Sequence, residues 1–377
     1  MKIDFVMGDL GAGFTGGDLL VYRLANLLVP AHAVRLIRLR NWRRYMERSG
    51  FEGTNNGQLY RTPFPSRVVE GLARSGLGRR ILVASGVVPR TSVAVRIDRS
   101  VLERPVSAPE DAPSDGDHLI ATSWPTAFFC AQVRTNARKH YLMQNFEDDP
   151  GYSGALAGLA GNSYALGLEK IAISARIRDR FGPTCQLVTP GVDTRVFRQD
   201  IPFERRPAHS IIMPLRAAPY KGSDMGIRVV ESITDRIPDV SLTLFGNRHA
   251  LRGIRPRPPK WVRTLHNPTN LELARAYNQS RIFLFPSRLE GFPVTPLEAM
   301  LCGCLVVSTP NSGVAPYLAN GSTGFLSETF EIDSLASTLV SSFAQLDSSQ
   351  AVVARGAATA GTYSWENSLR MFLQALT

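Results

Sequence analysis

Glu290 and Glu298 stand eight positions apart, where a short apolar run gives way to a proline-rich loop and then to a helical pattern. Carboxylates accept hydrogen bonds from hydroxyl groups, and the unpartnered N–H groups of a first helical turn attract anions. Two acids so arranged suit a ligand that is polyhydroxylated and carries a diphosphate. A second constellation lies upstream. Arg216 and Lys221 follow the apolar run Ser210 to Leu215, and cations at the carboxyl end of a strand, beside a helix start, are well placed for a diphosphate.

The elements that must hold these groups can be read from spacing. Ile282 to Phe285 has strand length and ends at Pro286 and Ser287. Gly291 lets backbone approach a ligand closely. Pro293 and Pro296 confine the following helix to begin around them, and Gly303 is suited to end it. Gly222 opens a helical stretch through Met225, Val229 and Val230. The same alternation runs along the whole chain. Strands are expected at Lys2 to Met7, Val34 to Leu39, His118 to Thr122, His140 to Gln144, Lys170 to Ser174 and Cys185 to Val188. They resume at Ser210 to Leu215, Ser241 to Phe245, Val262 to Leu265, Arg281 to Phe285 and Leu305 to Ser308. A helix is expected over Gly17 to Leu28, and Val106 to Asp117 reads as a loop. Such alternation implies α/β architecture with parallel sheets under covering helices. A linker with three prolines spans Thr189 to Pro207. The expected division is residues 1–190, a linker 191–207 and residues 208–363, with a helical segment from Ser364.

The ordered set of motifs resembles the retaining GT-B glycosyltransferases of the GT4-like, glycosyl transferases group 1, family. Glu290 and Glu298, with the glycine and prolines between them and the Glu-Ala-Met-x-x-Gly-Cys-x-Val-Val that follows, are similar to the family's EX7E signature. Pro190 to Phe197 resembles its P-x-G-V-D-x-x-x-F segment, shortened by one residue. Arg216 to Gly222 resembles its R-x(4)-K-G stretch, and Gly313 to Gly324 its late glycine-rich segment. The resemblance implies a GT-B fold, two Rossmann-like domains facing across a cleft, with the last helix returning to the first domain. It implies that Arg216 and Lys221 contact the diphosphate, that Glu298 holds the ribose and that Glu290 meets hydroxyls of the transferred sugar. Gly291 and Phe292 would place that sugar through their N–H groups, and Gly16 and Gly17 would belong to a Gly-rich first loop. Ala121-Thr-Ser-Trp-Pro-Thr-Ala127 and Tyr141-Leu-Met-Gln-Asn-Phe-Glu147 resemble stretches of the rhamnosyltransferase-like branch. They nominate Ser123, Trp124, Gln144 and Glu147 for the acceptor side. Related enzymes often carry a His here, where this chain has Ser123 and Trp124. No Asp-x-Asp motif appears, so catalysis without a metal or cofactor is expected, with a nucleotide diphosphate sugar as co-substrate.

The first loop admits another reading. Gly11-Ala-Gly-Phe-Thr-Gly16 matches G-x-G-x-x-G after a strand. A dinucleotide site would want an acid closing the second strand, and that strand carries Arg35 and Arg38 instead. Arginine could suit a 2′-phosphate, which keeps an NADP oxidoreductase as an alternative.

Charge is unevenly spread. Of the net +11, ten arise between Arg35 and Arg104, where fifteen arginines and no lysine face five acids. Within it, Asn41 to Arg48 interleaves Trp42, Tyr45 and Met46 with arginines. An anionic membrane surface is the partner this suggests, and a catalytically inactive surface-binding relative is a further alternative. No nucleic-acid motif accompanies the charge. With 377 residues, 44% hydrophobic and 20% charged, two globular domains are expected. No apolar run reaches the ~18–20 residues of a membrane span, and Met1 to Val6 reads as a strand. Cys130, Cys185, Cys302 and Cys304 lack metal-ligand spacing and read as buried fillers in a reducing cytosol. The expected location is cytoplasmic or peripheral on the inner membrane face, and the expected acceptor a glycan or glycolipid.

Overall fold

The computed structural model describes residues 1–8, 16–40, 97–247, 250, 254 and 257–377. These form two compact units, one holding the described residues up to 189 together with 366–377, the other residues 190–365.

The first unit is built on seven strands: β1 (Lys2–Gly8), β2 (Ala33–Leu39), β3 (Leu102–Val106), β4 (His118–Ala121), β5 (Arg138–Met143), β6 (Glu169–Ala172) and β7 (Gln186–Leu187). Their order is β3-β2-β1-β4-β5-β6-β7, and the pairings are parallel. Central strands covered on both faces must be apolar throughout, and β4 is buried along its length. The acid in β1 is accommodated by register. Asp4 sits opposite Arg35, whose Nη2 donates to it at 2.8 Å, while Nη1 donates to Asp115 at 2.6 Å. Helices Gly16–Leu28, Trp124–Gln132 and Ala175–Phe181 follow β1, β4 and β6.

The second unit repeats the plan with β8 (Ser210–Leu215), β9 (Ser241–Gly246), β10 (Arg263–His266), β11 (Ile282–Phe285), β12 (Leu305–Ser308) and β13 (Phe325–Leu326). Their order is β10-β9-β8-β11-β12-β13, again with parallel pairings. In both sheets the strand order reverses beside the first strand, at β1/β4 and at β8/β11. Ligands of open parallel sheets bind beyond the carboxyl ends of strands at such a reversal. The core between β8, β11 and β12 and the covering helices is aliphatic: Ile211, Met213, Leu215, Val229, Leu284, Val307, Leu335 and Leu339 are buried together.

Two strands were not expected. Edge strand β3 has only Val106 buried and contains Pro105, so it lacks an apolar period, and its proline is tolerable because it lies at an edge. β13 has two residues. The proline-bearing segment before β8 is also packed rather than loose. Arg206, 3% exposed, donates to the carbonyls of Ile201, Ser280, Cys302 and Gly303 at 2.6–3.1 Å. It thereby caps the carboxyl ends of helices Asn270–Asn278 and Thr295–Leu301 with one buried cation.

Helix Trp365–Leu376 belongs to the first unit from Glu366 onward. Phe372 is fully buried and stacks on Phe5 of β1 at 5.6 Å, and Ser368 Oγ donates to the Thr189 carbonyl at 2.6 Å. The four cysteines are free and buried. Among the described residues no helix is long and apolar enough to cross a membrane.

Candidate functional site

In the second unit, the loops leaving β8 and β11 meet at the strand reversal. A short 3₁₀ turn, Pro219–Lys221, follows Arg216 and ends at Gly222 with φ +65°. A side chain at Gly222 would collide with the Pro286 carbonyl, so glycine permits both the left-handed conformation and the close approach. The loops are stitched by Arg288 N–H to the Tyr220 carbonyl at 2.8 Å. Behind them, Gly313 packs its backbone on Glu290, where a Cβ would lie 2.9 Å from the Glu290 carbonyl.

This brings the predicted donor residues together. Lys221 Nζ lies 2.6 Å from Glu290 Oε2, with side-chain exposures of 25% and 11%. The other carboxylate oxygen of Glu290 accepts from Ser287 Oγ at 2.7 Å. Lys221 and Glu290, expected to meet phosphate and sugar respectively, thus form an ion pair with each other. Arg216 has its backbone N–H bound to Ser223 Oγ at 2.8 Å and its guanidinium over the Phe245 ring at 5.7 Å. Its surface is open to solvent, yet surrounding atoms lower its pKa by desolvation, opposed by Tyr277, Glu290 and Glu298. The guanidinium stays charged at neutral pH.

Glu298 lies in the first turn of helix Thr295–Leu301. Its Oε2 accepts from Tyr277 OH at 3.4 Å. Tyr277 is fully buried among Phe197, Phe245 and Phe283, at 5.7–6.1 Å between ring centroids. Phe292 is buried against Tyr317 and Tyr363 and pins the loop carrying Gly291. Sequence reasoning missed Tyr277 and Ser287. A polar residue three positions before Glu290 was the available signal for Ser287, whereas Tyr277 comes from another helix and left none.

In the first unit, Gly17, Ser123 and Gln144 gather beyond the carboxyl ends of β1, β4 and β5. A Cβ at Gly17 would meet the Gln144 side-chain amide, whose Nε2 donates to the Thr122 carbonyl at 3.0 Å. Gly16 is exposed with open space around it. Ser123 precedes helix Trp124–Gln132, its backbone N–H held by Thr126 Oγ1 at 3.0 Å.

Two expectations are corrected. Trp124 and Glu147 are 7% and 3% exposed and present no side chain to an acceptor. Trp124 packs edge-on against Phe128. Glu147 accepts from the Tyr141 hydroxyl, and its backbone N–H donates to Tyr164 OH at 2.8 Å. Burial raises the Glu147 pKa to about 7, although Tyr141 and the Trp124 N–H pull it down. Arg35 is spent on Asp4 and Asp115, and Arg38 on Tyr22 and Glu103. Residues 41–96, with the Asn41 to Arg48 segment, lie outside the described residues, as do Gly11 and Gly13 of the G-x-G-x-x-G match.

Residues 208–345 match the family model for glycosyl transferases group 1. The chain is 23% identical over 304 residues to the GDP-mannose-dependent alpha-(1-6)-phosphatidylinositol monomannoside mannosyltransferase of Mycolicibacterium smegmatis, a match covering 72% of this chain and 76% of that one. It is 31% identical over 107 residues to the O-antigen chain mannosyltransferase B of Escherichia coli, 28% of each chain. Among solved structures, Anabaena HepE in complex with UDP and glucose aligns over 100% of this chain and 99% of its own, with a TM-score of 0.68 at 15% identity. The fold, two Rossmann-like α/β domains, is that of a GT-B glycosyltransferase. The chain carries a glycosyl transferases group 1 domain over residues 208–345 and is similar over most of its length to a mannosyltransferase, and the oxidoreductase reading of its first loop is set aside.

Proposed function

We propose that this glycosyltransferase moves a hexose or deoxyhexose from a nucleotide diphosphate sugar to a hydroxyl of a glycan or lipid-linked glycan, with retention of configuration and without a metal. The observation that carries the reading is the gathering of Arg216, Lys221, Glu290 and Glu298 beyond β8 and β11. Two cations and two carboxylates there fit a diphosphate flanked by two polyols. Arg216 and Lys221 would neutralise the departing diphosphate as its bond to the sugar breaks. The acceptor oxygen would bond to the same anomeric carbon from the face the diphosphate leaves, passing its proton to a phosphate oxygen. Glu298 would hold the ribose and Glu290 the transferred sugar, with Gly291 and Phe292 N–H groups beside it. Gly16, Gly17, Ser123 and Gln144 would line the acceptor side.

The names of the relatives favour mannose as the sugar and GDP as its carrier, with rhamnose next from the Tyr141 to Glu147 motif. One relative's phosphatidylinositol-linked acceptor supports a cytoplasmic enzyme resting on the membrane and a role in envelope polysaccharide synthesis. A thermal-shift screen with GDP-mannose and with UDP, dTDP and ADP sugars tests the reading, because a ligand of the folded state raises its melting temperature. One donor should shift the melt, and Arg216→Ala, Lys221→Ala and Glu298→Ala should each reduce that shift and turnover. Full activity in all three variants would overturn the site.

A further inference from the structure

Ser287 lies two residues beyond the carboxyl end of β11 and is 1% exposed. Its hydroxyl has one proton and three acceptors in reach: Glu290 Oε1 at 2.7 Å, the Tyr220 carbonyl at 3.3 Å and the Leu289 carbonyl at 3.4 Å. The carboxylate is both nearest and charged, so it takes the proton. Glu290 is therefore asymmetric. One oxygen is tied to a buried hydroxyl in the loop that leaves β11, and the other to Lys221, which lies on a separate loop.

We propose that Ser287 is a positioning residue that fixes the Glu290 carboxylate for sugar recognition, and that the Lys221–Glu290 pair couples recognition of the diphosphate to recognition of the sugar. The inference rests on the donor reading above. A diphosphate would compete with Glu290 Oε2 for the Lys221 ammonium. When a diphosphate draws Lys221 away, Oε2 is released, while Oε1 stays with Ser287. The carboxylate then offers one oriented oxygen to a sugar hydroxyl without first losing rotational freedom. Without Ser287, a freed Glu290 would turn, and the sugar would add little to the affinity of the nucleoside diphosphate.

The test compares binding of GDP with GDP-mannose, and of UDP with UDP-glucose, by calorimetry on the full chain and on its Ser287→Ala and Ser287→Thr variants. The readout is the sugar increment, the ratio of the diphosphate's Kd to that of its sugar conjugate. In Ser287→Ala the increment should fall by about tenfold, the scale of one hydrogen bond to a charged group, with binding of the free diphosphate unchanged. Ser287→Thr, which keeps the hydroxyl, should restore it. An unchanged increment in Ser287→Ala overturns the inference, as does an equal loss for diphosphate and conjugate, which marks a structural role. A wild-type increment near one also overturns it. Failure of the wild-type chain to bind any of the four ligands instead overturns the donor reading, and the inference with it.

Discussion

A carboxyl group is defined by what surrounds it, and Glu147 and Glu290 show two outcomes. Glu290 is met by a lysine and a hydroxyl at the proposed donor site. Glu147 is met by Tyr141 and the Trp124 N–H inside the first unit, where burial raises its pKa to about 7 from an ordinary 4.5. A raised acid pKa means that the folded state binds the proton more tightly than the unfolded chain. Stability from this group is present below pH ~4.5 and is lost as pH rises toward ~7. Glu147→Gln mimics the protonated acid, so its melting temperature should gain on wild type as pH goes from about 5 to about 8. An offset that stays constant across that range would show that Glu147 does not titrate there. Both glutamates stand near aromatic residues and glycines in the sequence, and nothing local separates them. The distinction lies in partners brought from other strands, which is why Glu147 and Trp124 were legible as part of a motif but not as interior residues.

At the level of elements, strands with a full apolar run were legible to within a few residues, because burial on both faces leaves no polar position to blur them. β3 was not, since an edge strand with one buried residue carries no such signal. The grouping of Arg216, Lys221, Glu290 and Glu298 was legible because each follows a strand end in a fixed order. The ion pair between Lys221 and Glu290 was not, because it depends on side-chain geometry between two loops. Arg206 was hidden for a similar reason. Read as part of a charged linker, it is a buried cation that satisfies the carbonyls ending two helices, one carrying Tyr277 and the other Glu298. Arg206→Met should leave those carbonyls unpaired at a cost of about 3 kcal/mol or more. The denaturant midpoint of the second unit should drop, and nucleotide binding should weaken through displaced Glu298. A stability change under about 0.5 kcal/mol, the level of an ordinary surface substitution, would show that water replaces the guanidinium without loss.

Over the whole molecule, each unit has its own sheet and its own core, and the last helix is the exception to sequence order. Its Phe372 is fully buried on β1 although it lies at the opposite end of the chain. Phe372→Ala should cost about 3–5 kcal/mol, as for other buried aromatics. The loss should be confined to one unit, with hydrogen exchange faster at β1 amides and unchanged at β8 amides. Equal acceleration in both sheets would mean that the two units unfold as one. The buried cysteines offer a further handle on the same question. Cys130 and Cys185 belong to the first unit, Cys302 and Cys304 to the second. Desolvation raises all four thiol pKa values, Cys185 to about 11 and Cys304 to about 12. A thiolate is the species that alkylating reagents attack, so each sulfur stays silent until its surroundings open. The chain thus carries two pairs of internal clocks, and their alkylation rates read the opening of each half without any label having to be introduced.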